Sequence, residues 1–424
     1  MPRLLLPALL ALAVAMPSLA RAENWPNWRG PSQSGVAEGK EYPTKWSSTE
    51  NVAWKVKLPG RGASTPIVWE DRIFLTCGVA EKEEPARNML LCYDRGGKEL
   101  WRTEIGKAKP IKSAKGSSTN PSATTDGKHV FAYFKSGDFG AVDFSGKIVW
   151  QMNLQEKYGE DTLWHDVGTS PVLTKNHVIA TVMHGGPSFL AAFDKVTGKL
   201  AWKQDRNTGA PSESADSYTT PVVVNSGEQE LIVVLGADYV TGHDAANGKE
   251  LWRVGDLNPR KNPNFRSISS AVVSDGVVIA PYARGGTVTA IKLGGQGDVT
   301  ETHVLWTKEN LGADVPTPIA KDGKVYLCND KGQISCLDLK TGEPLWTTQP
   351  EKKRLTTVSS SPILAGGKLY ITREDGKTYV ITPEKDSKVV AENELQGEFV
   401  LATPVFVDGK VLLRTNDHLY CFGT

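Results

Sequence analysis

The chain has 424 residues, with 49 Lys and Arg against 48 Asp and Glu and a formal net charge of +1. That balance excludes the one-sign field by which a protein is drawn to nucleic acid or to an anionic membrane. Five Cys form no even framework for a disulfide-stapled fold, whereas 39% hydrophobic content with 41 Gly and 25 Pro suits a large, turn-rich all-β chain.

In chain order, residues 1–22 come first and differ in kind from the rest. Arg3 precedes an almost wholly apolar run from Leu4 to Ala15, and Ala20-Arg21-Ala22 fits a small-residue cleavage site. This predicts a secretory signal peptide, too short in its apolar run to span a membrane. The mature chain is expected from about Glu23 onward, exported to a periplasmic or extracellular address. No Cys stands at the cleavage region, so no lipid anchor is expected, and no later segment approaches the ~20 apolar residues of a spanning helix.

Residues 23–58 carry Trp25, Trp28 and Trp46 and then a strand pattern, Asn51-Val52-Ala53-Trp54-Lys55-Val56. From there a Ser/Thr-rich approach to a strand recurs eight times. It reads Ser64-Thr65-Pro66, Asn120-Pro121, Ser170-Pro171, Thr220-Pro221, Ser270-Ala271, Thr317-Pro318, Ser361-Pro362 and Thr403-Pro404, at intervals of 42 to 55 residues. Self-similarity at that period is the mark of a propeller or a solenoid.

Each copy leads to a tight-turn signal such as Asp126-Gly127, Asp275-Gly276 or Asp322-Gly323, which folds the first strand back on a second. The second strands are apolar and β-branched or aromatic, as in Ile73-Phe74-Leu75 and Val325-Tyr326-Leu327, with no helical spacing. A third strand then ends at Asp94, Asp143, Asp194, Asp244 or Asp338, followed by a Gly-containing turn and a Trp. Recurrence of that Asp argues for a turn role, capping backbone N–H groups, rather than acid/base or metal chemistry.

The Trp series is Trp54, Trp101, Trp150, Trp202, Trp252, Trp306 and Trp346, with Val389 and Val390 in the place of the eighth. Large aromatics at equivalent points bury area where one repeat meets the next, a structural use. Only three strands follow Pro404, and the strand around Trp54 supplies the missing fourth. The predicted fold is all-β: an eight-bladed propeller of four-stranded antiparallel blades, closed by pairing of the N-terminal strand with the C-terminal blade. Residues 23–424 are expected to form that single domain, with 23–58 as its N-terminal segment and latch.

Loops that enter the innermost strands converge on the channel of a propeller, the usual place for a ligand. The candidates they offer are Arg61, Lys115, Asn120, His165, Asp216, Tyr218, Arg266 and Asp314, together with Asp166 and Glu398. His165-Asp166 invites a general-base reading, but neighbours in a strand point to opposite faces. Ser-rich approaches such as Ser359-Ser360-Ser361 lack the elbow and ordered partners of a nucleophile. No catalytic residue and no metal site is assigned. Cys328 and Cys336 flank a predicted hairpin turn and could bridge if opposite in register, with buried free thiols as the default.

The segments Ala192-Phe193-Asp194-Lys195-Val196-Thr197-Gly198-Lys199-Leu200-Ala201-Trp202 and Cys336-Leu337-Asp338 through Trp346 resemble the repeat of quinoprotein-type, PQQ-like propellers. The opening Trp25-Pro26-Asn27-Trp28-Arg29-Gly30-Pro31 is similar to the head of exported, BamB-like members. The resemblance implies Trp docking between blades. It also implies a non-catalytic scaffold that binds a protein partner or a small polar ligand, as a monomer, without nucleic acid. An alternative it leaves open is a PQQ-dependent alcohol dehydrogenase with calcium, although the adjacent Cys pair and the haem motif of that group are absent. No cofactor is expected; PQQ with calcium is the exception kept in view. A third reading is a carbohydrate-binding propeller.

Overall fold

The computed structural model describes residues 22–39, 41–80, 86–113, 115–227, 229–351 and 357–423. The signal-peptide reading of residues 1–22 therefore lies, but for its last residue, outside the described residues.

Eight sheets are present among the described residues, each built on four antiparallel strands in sequence order, so the architecture is an eight-bladed β-propeller. Blades 1 to 7 span residues 67–107, 124–153, 172–205, 222–254, 272–309, 319–348 and 363–394. Blade 8 takes three strands from 405–422 and its outermost strand, Val52–Lys57, from the other end of the chain. There Trp54 stands opposite Cys421 and Lys57 opposite His418.

Burial explains why these sequences make these strands. Middle strands such as Arg72–Val79 and Val277–Tyr282 are covered on both faces by neighbouring blades, so they read as continuous apolar runs. Outermost strands such as Glu99–Lys107 and Val52–Lys57 alternate between half-buried and exposed positions, so they alternate in sequence.

The blades are stapled by a repeated contact. The indole N–H of Trp54 donates to the Arg95 carbonyl (2.8 Å), Trp101 to Phe144 (3.0 Å), Trp150 to Lys195 (3.0 Å), Trp202 to Ala245 (3.2 Å) and Trp306 to Leu339 (3.0 Å). Each acceptor sits in the third-strand turn of the following blade. The turn Gly lies under the ring: a Cβ on Gly198, whose φ is +67°, would come within 2.7 Å of Trp150. Gly is required there twice over, for its left-handed backbone and for the approach of the indole. The preceding Asp holds the turn, with Asp194 Oδ1 accepting from the N–H groups of Val196 (3.2 Å) and Thr197 (2.7 Å).

Trp252 departs from this pattern. Blade 5 has no Asp-Gly turn to receive it, because the third strand, Thr287–Lys292, runs into an insertion whose Gly297–Asp298 strand pairs with the outer strand of blade 4. Trp252 instead lies across Gly242 of its own blade, and its indole N–H has no partner among the described residues. It still packs with Val278, Ile291 and Val299 of blade 5. Trp346 packs against blade 7 residues, including Leu369 and Tyr379.

The five cysteines are free and buried. Cys336 stands opposite Tyr326, and Cys328 opposite Ile334, so the two thiols are out of register and the conditional Cys328–Cys336 bridge is not made.

Candidate functional site at the channel and its mouth

The innermost strands enclose a channel, and the Ser/Thr approaches wall it. One hydroxyl per blade accepts a hydrogen bond from the corresponding backbone N–H of the blade before it. Thr65 donates to Ser122, Ser122 to Ser170, Ser170 to Thr220, Thr220 to Ser270, Ser270 to Thr317, Thr317 to Ser361, Ser361 to Thr403 and Thr403 back to Thr65, all at 2.9 to 3.1 Å. The result is a closed ring that also ties the two ends of the chain together. Blade 2 corrects the sequence reading. Its ring residue is Ser122, after Pro121, whereas the Asn120-Pro121 dipeptide put the equivalent position at Asn120.

Strand alternation places residues two earlier on the same wall, so Ala63, Asn120, Gly168, Tyr218, Ile268, Val315, Ser359 and Leu401 form a second layer. The void has a volume of about 170 Å³. None of its lining residues is charged.

One end of the channel is floored by the N-terminal segment. Trp25 pairs with Val68 of blade 1 through two backbone bonds of 2.8 Å, and Pro26 accepts from Thr125 of blade 2. Trp28 lines the void. The Arg29 guanidinium donates to the carbonyls of Pro318 (2.7 Å) and Pro362 (2.9 Å), and Val36–Ala37 joins blade 7 as a parallel strand. Arg29 is fully buried and has no carboxylate partner among the described residues; burial pushes its pKa down to about 9, which leaves it a cation at neutral pH. Trp46 stacks between Tyr370 and Phe422 in the wall between blades 7 and 8.

The other end is an open mouth rimmed by the loops that precede the innermost strands. Five sequence candidates meet there. His165 donates its backbone N–H to the Tyr218 hydroxyl (2.9 Å), and its ring lies 3.8 Å from Glu213. Arg266 bridges Asp314 (3.1 Å) and Glu213 (3.5 Å), and Arg284 approaches Asp314 at 3.8 Å. Asp216 accepts from the Trp164 N–H at 2.8 Å. Burial pushes the carboxyls of Asp216 and Asp314 above their usual range, and the Tyr218 hydroxyl likewise, although Arg266 pulls Asp314 the other way. Within this cluster Arg266 Nε and Asp314 Oδ1 are buried without partners.

Other candidates fall apart from it. Lys115 reaches across the mouth to Glu374 and Thr357 (both 2.9 Å) on the blade 7 side. Asn120 lies in the channel wall, its Oδ1 taken by Ser117. Arg61 is exposed, and its carbonyl accepts from the Gly78 N–H (2.9 Å). His165 and Asp166 do not form a dyad: Asp166 is buried against the Lys135 ammonium and accepts from the Lys112 N–H (2.9 Å). Glu398 serves the latch instead, bound by Tyr420 (2.7 Å), Thr415 (2.6 Å) and Lys55 (3.4 Å).

Sequence reasoning missed Trp164, Glu213 and Arg284. Trp164 is 73% exposed, the most open large apolar side chain among the described residues. Its signal was a Trp beside His165 in a loop with no repeat equivalent. Ala283 and Arg284 both adopt left-handed backbone (φ 55° and 54°), the kind of strain that collects at functional loops.

A quinone cofactor with calcium finds no fit here. Among the described residues no group of three or more His, Cys, Asp or Glu converges, and a hard cation needs several such oxygens. A void of about 170 Å³ compares with the ~150 Å³ cavity that takes up one benzene ring, not three fused rings bearing carboxylates.

The family model described as outer membrane protein assembly factor BamB, of the PQQ-like type, matches residues 86–348 and 331–422. The chain belongs to this PQQ-like, BamB family of propellers. It is 24% identical to the outer membrane protein assembly factor BamB of Yersinia pestis over 75% of each chain, while another BamB relative is matched over only 38% of its own length. BamB from Moraxella catarrhalis superposes with a TM-score of 0.61 and 14% identity over 88% of this chain and 97% of that one. A europium-containing methanol dehydrogenase does so at 0.73 and 11% identity over 95% and 98%. At such identities these two structures speak for the fold alone.

Proposed function

We propose that this propeller is an exported, non-catalytic scaffold whose open mouth binds a polypeptide partner in the periplasm. The observation that carries the reading is Trp164, 73% exposed and held by its backbone N–H to Asp216, on the same rim as the half-buried Glu213–Arg266–Asp314 ion-pair chain. Trp is among the residues that dominate binding energy at protein interfaces, whereas an isolated exposed Leu would mean nothing. The relatives named as assembly factors, and the leader-like residues 1–22, support the partner class and the address.

Photo-crosslinking from the exposed Glu160 position in the same loop, in cells, followed by affinity measurement on the captured protein, tests this. Trp164→Ala and Arg266→Ala are each expected to weaken capture by tenfold or more with the fold intact, as for ~2 kcal/mol hot spots. Equal capture by both variants sinks the reading. So does dye-linked alcohol oxidation on adding PQQ and calcium, or sugar binding that depends on Trp164.

A further inference from the structure

The channel beneath the mouth carries a feature that partner binding does not use. A Ser or Thr hydroxyl has one O–H to donate and two lone pairs. In each of the eight ring residues a lone pair is taken by the backbone N–H of the preceding blade, and the O–H has no acceptor among the described residues. Their neighbours behave otherwise: Ser64, Thr219, Ser269 and Ser360 donate to the carbonyls of Thr76, Leu235, Pro316 and Thr372. All eight ring residues are at least nine-tenths buried. Eight buried donors thus face one lumen with nothing to receive them.

Charge points the same way. Arg29 bonds the carbonyls of Pro318 and Pro362, one residue beyond the ring members Thr317 and Ser361 on the same strands. Its Nε is buried without a partner, and no carboxylate among the described residues pairs with it. No acidic residue lines the void, and Trp28 covers the floor. A chamber closed at the floor, with donors on its wall, the Arg29 cation 5.5 Å from the ring of the floor residue Trp28 and about 170 Å³ of space, suits a compact acceptor of negative charge.

We propose that the blind channel binds one small oxyanion, of the size of sulfate or phosphate, held by the ring hydroxyls above Arg29. A water column would fill the same space with different chemistry, and selenate crystals separate the two. The ring residues themselves take no part in the mouth cluster, although Tyr218 borders both.

The test uses the full mature protein, dialysed into chloride buffer. Crystals grown with selenate are expected to show an anomalous peak on the channel axis at the level of the ring. Titration with sulfate, and separately with phosphate, by calorimetry at constant ionic strength is expected to give one saturable site. Thermal shifts are avoided, because sulfate stabilises folded proteins without binding them. Thr220→Val and Ser270→Ala each remove one donor, and with it the acceptor of the Ser170 or Thr220 N–H, and are expected to weaken the anion about fivefold to tenfold. Their folding is checked by circular dichroism, and the selenate peak in the unmutated protein decides the matter should either variant fail to fold. Only water at the ring in selenate crystals, no saturable heat with either anion, or unchanged affinity in both folded variants overturns the proposal.

Discussion

The two ends of the channel are built on opposite principles. At the floor the hydrogen bonds end on backbone: the Trp25 main chain pairs with that of Val68, and the Arg29 guanidinium caps the carbonyls of two different blades. At the mouth, side chains bind each other, through Glu213, Arg266, Asp314 and Arg284, with donors and acceptors left over and carboxyls pushed up by burial. Backbone acceptors come with the fold and fix geometry. Charged side-chain networks at a strained rim cost stability and are kept where something else must bind.

The sharpest way to break that contrast is Trp25→Ala. Trp25 is buried in the cluster that joins the N-terminal segment to blades 1, 7 and 8, and its loss is expected to cost about 3–5 kcal/mol. Urea denaturation measures it; a cost under about 1 kcal/mol would mean that the floor is not part of the cooperative unit. A smaller effect is expected from Thr65→Val, which leaves the Thr403 N–H without its acceptor where the ring crosses the chain ends. A buried donor so orphaned costs about 1–3 kcal/mol. A loss no greater than at an exposed threonine would show that the ring is incidental to closure.

At the mouth the sign should reverse. Asp216 is buried, its pKa is raised by desolvation, and no cation lies within ion-pair distance among the described residues. A carboxyl whose folded pKa is raised favours folding below its unfolded value, and that contribution is lost as pH rises through the folded one. Asn keeps an oxygen for the Trp164 N–H without the charge. Asp216→Asn is therefore expected to raise the melting temperature slightly at neutral pH, with the gap closing as pH falls through the acidic range. A lower melting temperature at pH 7, or a gap that widens in acid, would place Asp216 among the structural residues of the floor type.

Legibility followed the same division. Repeated features could be read because each is local and occurs many times: Ser170-Pro171, the Asp194 to Gly198 turn, Trp202, and the strand around Trp54 that completes blade 8. A single copy with its Pro on the wrong side, Asn120-Pro121-Ser122, was enough to shift one position. The floor was not legible, because Arg29 meets acceptors 289 and 333 residues away and nothing in its neighbourhood advertises them. Trp252 looked like its six counterparts, and only the blade 5 insertion changes what it rests on. Trp164 belongs to no period, so a reading guided by repetition passed over it.

Ring closure has a consequence for how the molecule is made. The latch strand around Trp54 is synthesised hundreds of residues before its partner, His418–Phe422. Until then blade 8 offers a bare strand edge, and the Thr65 hydroxyl waits for an N–H 338 residues downstream. Pairing over such a sequence distance is slow, and open edges invite association with other chains. Chains truncated before residue 418 should therefore need chaperone protection that the closed wheel does not, and the strand His418–Phe422 acts as the clasp that ends that dependence.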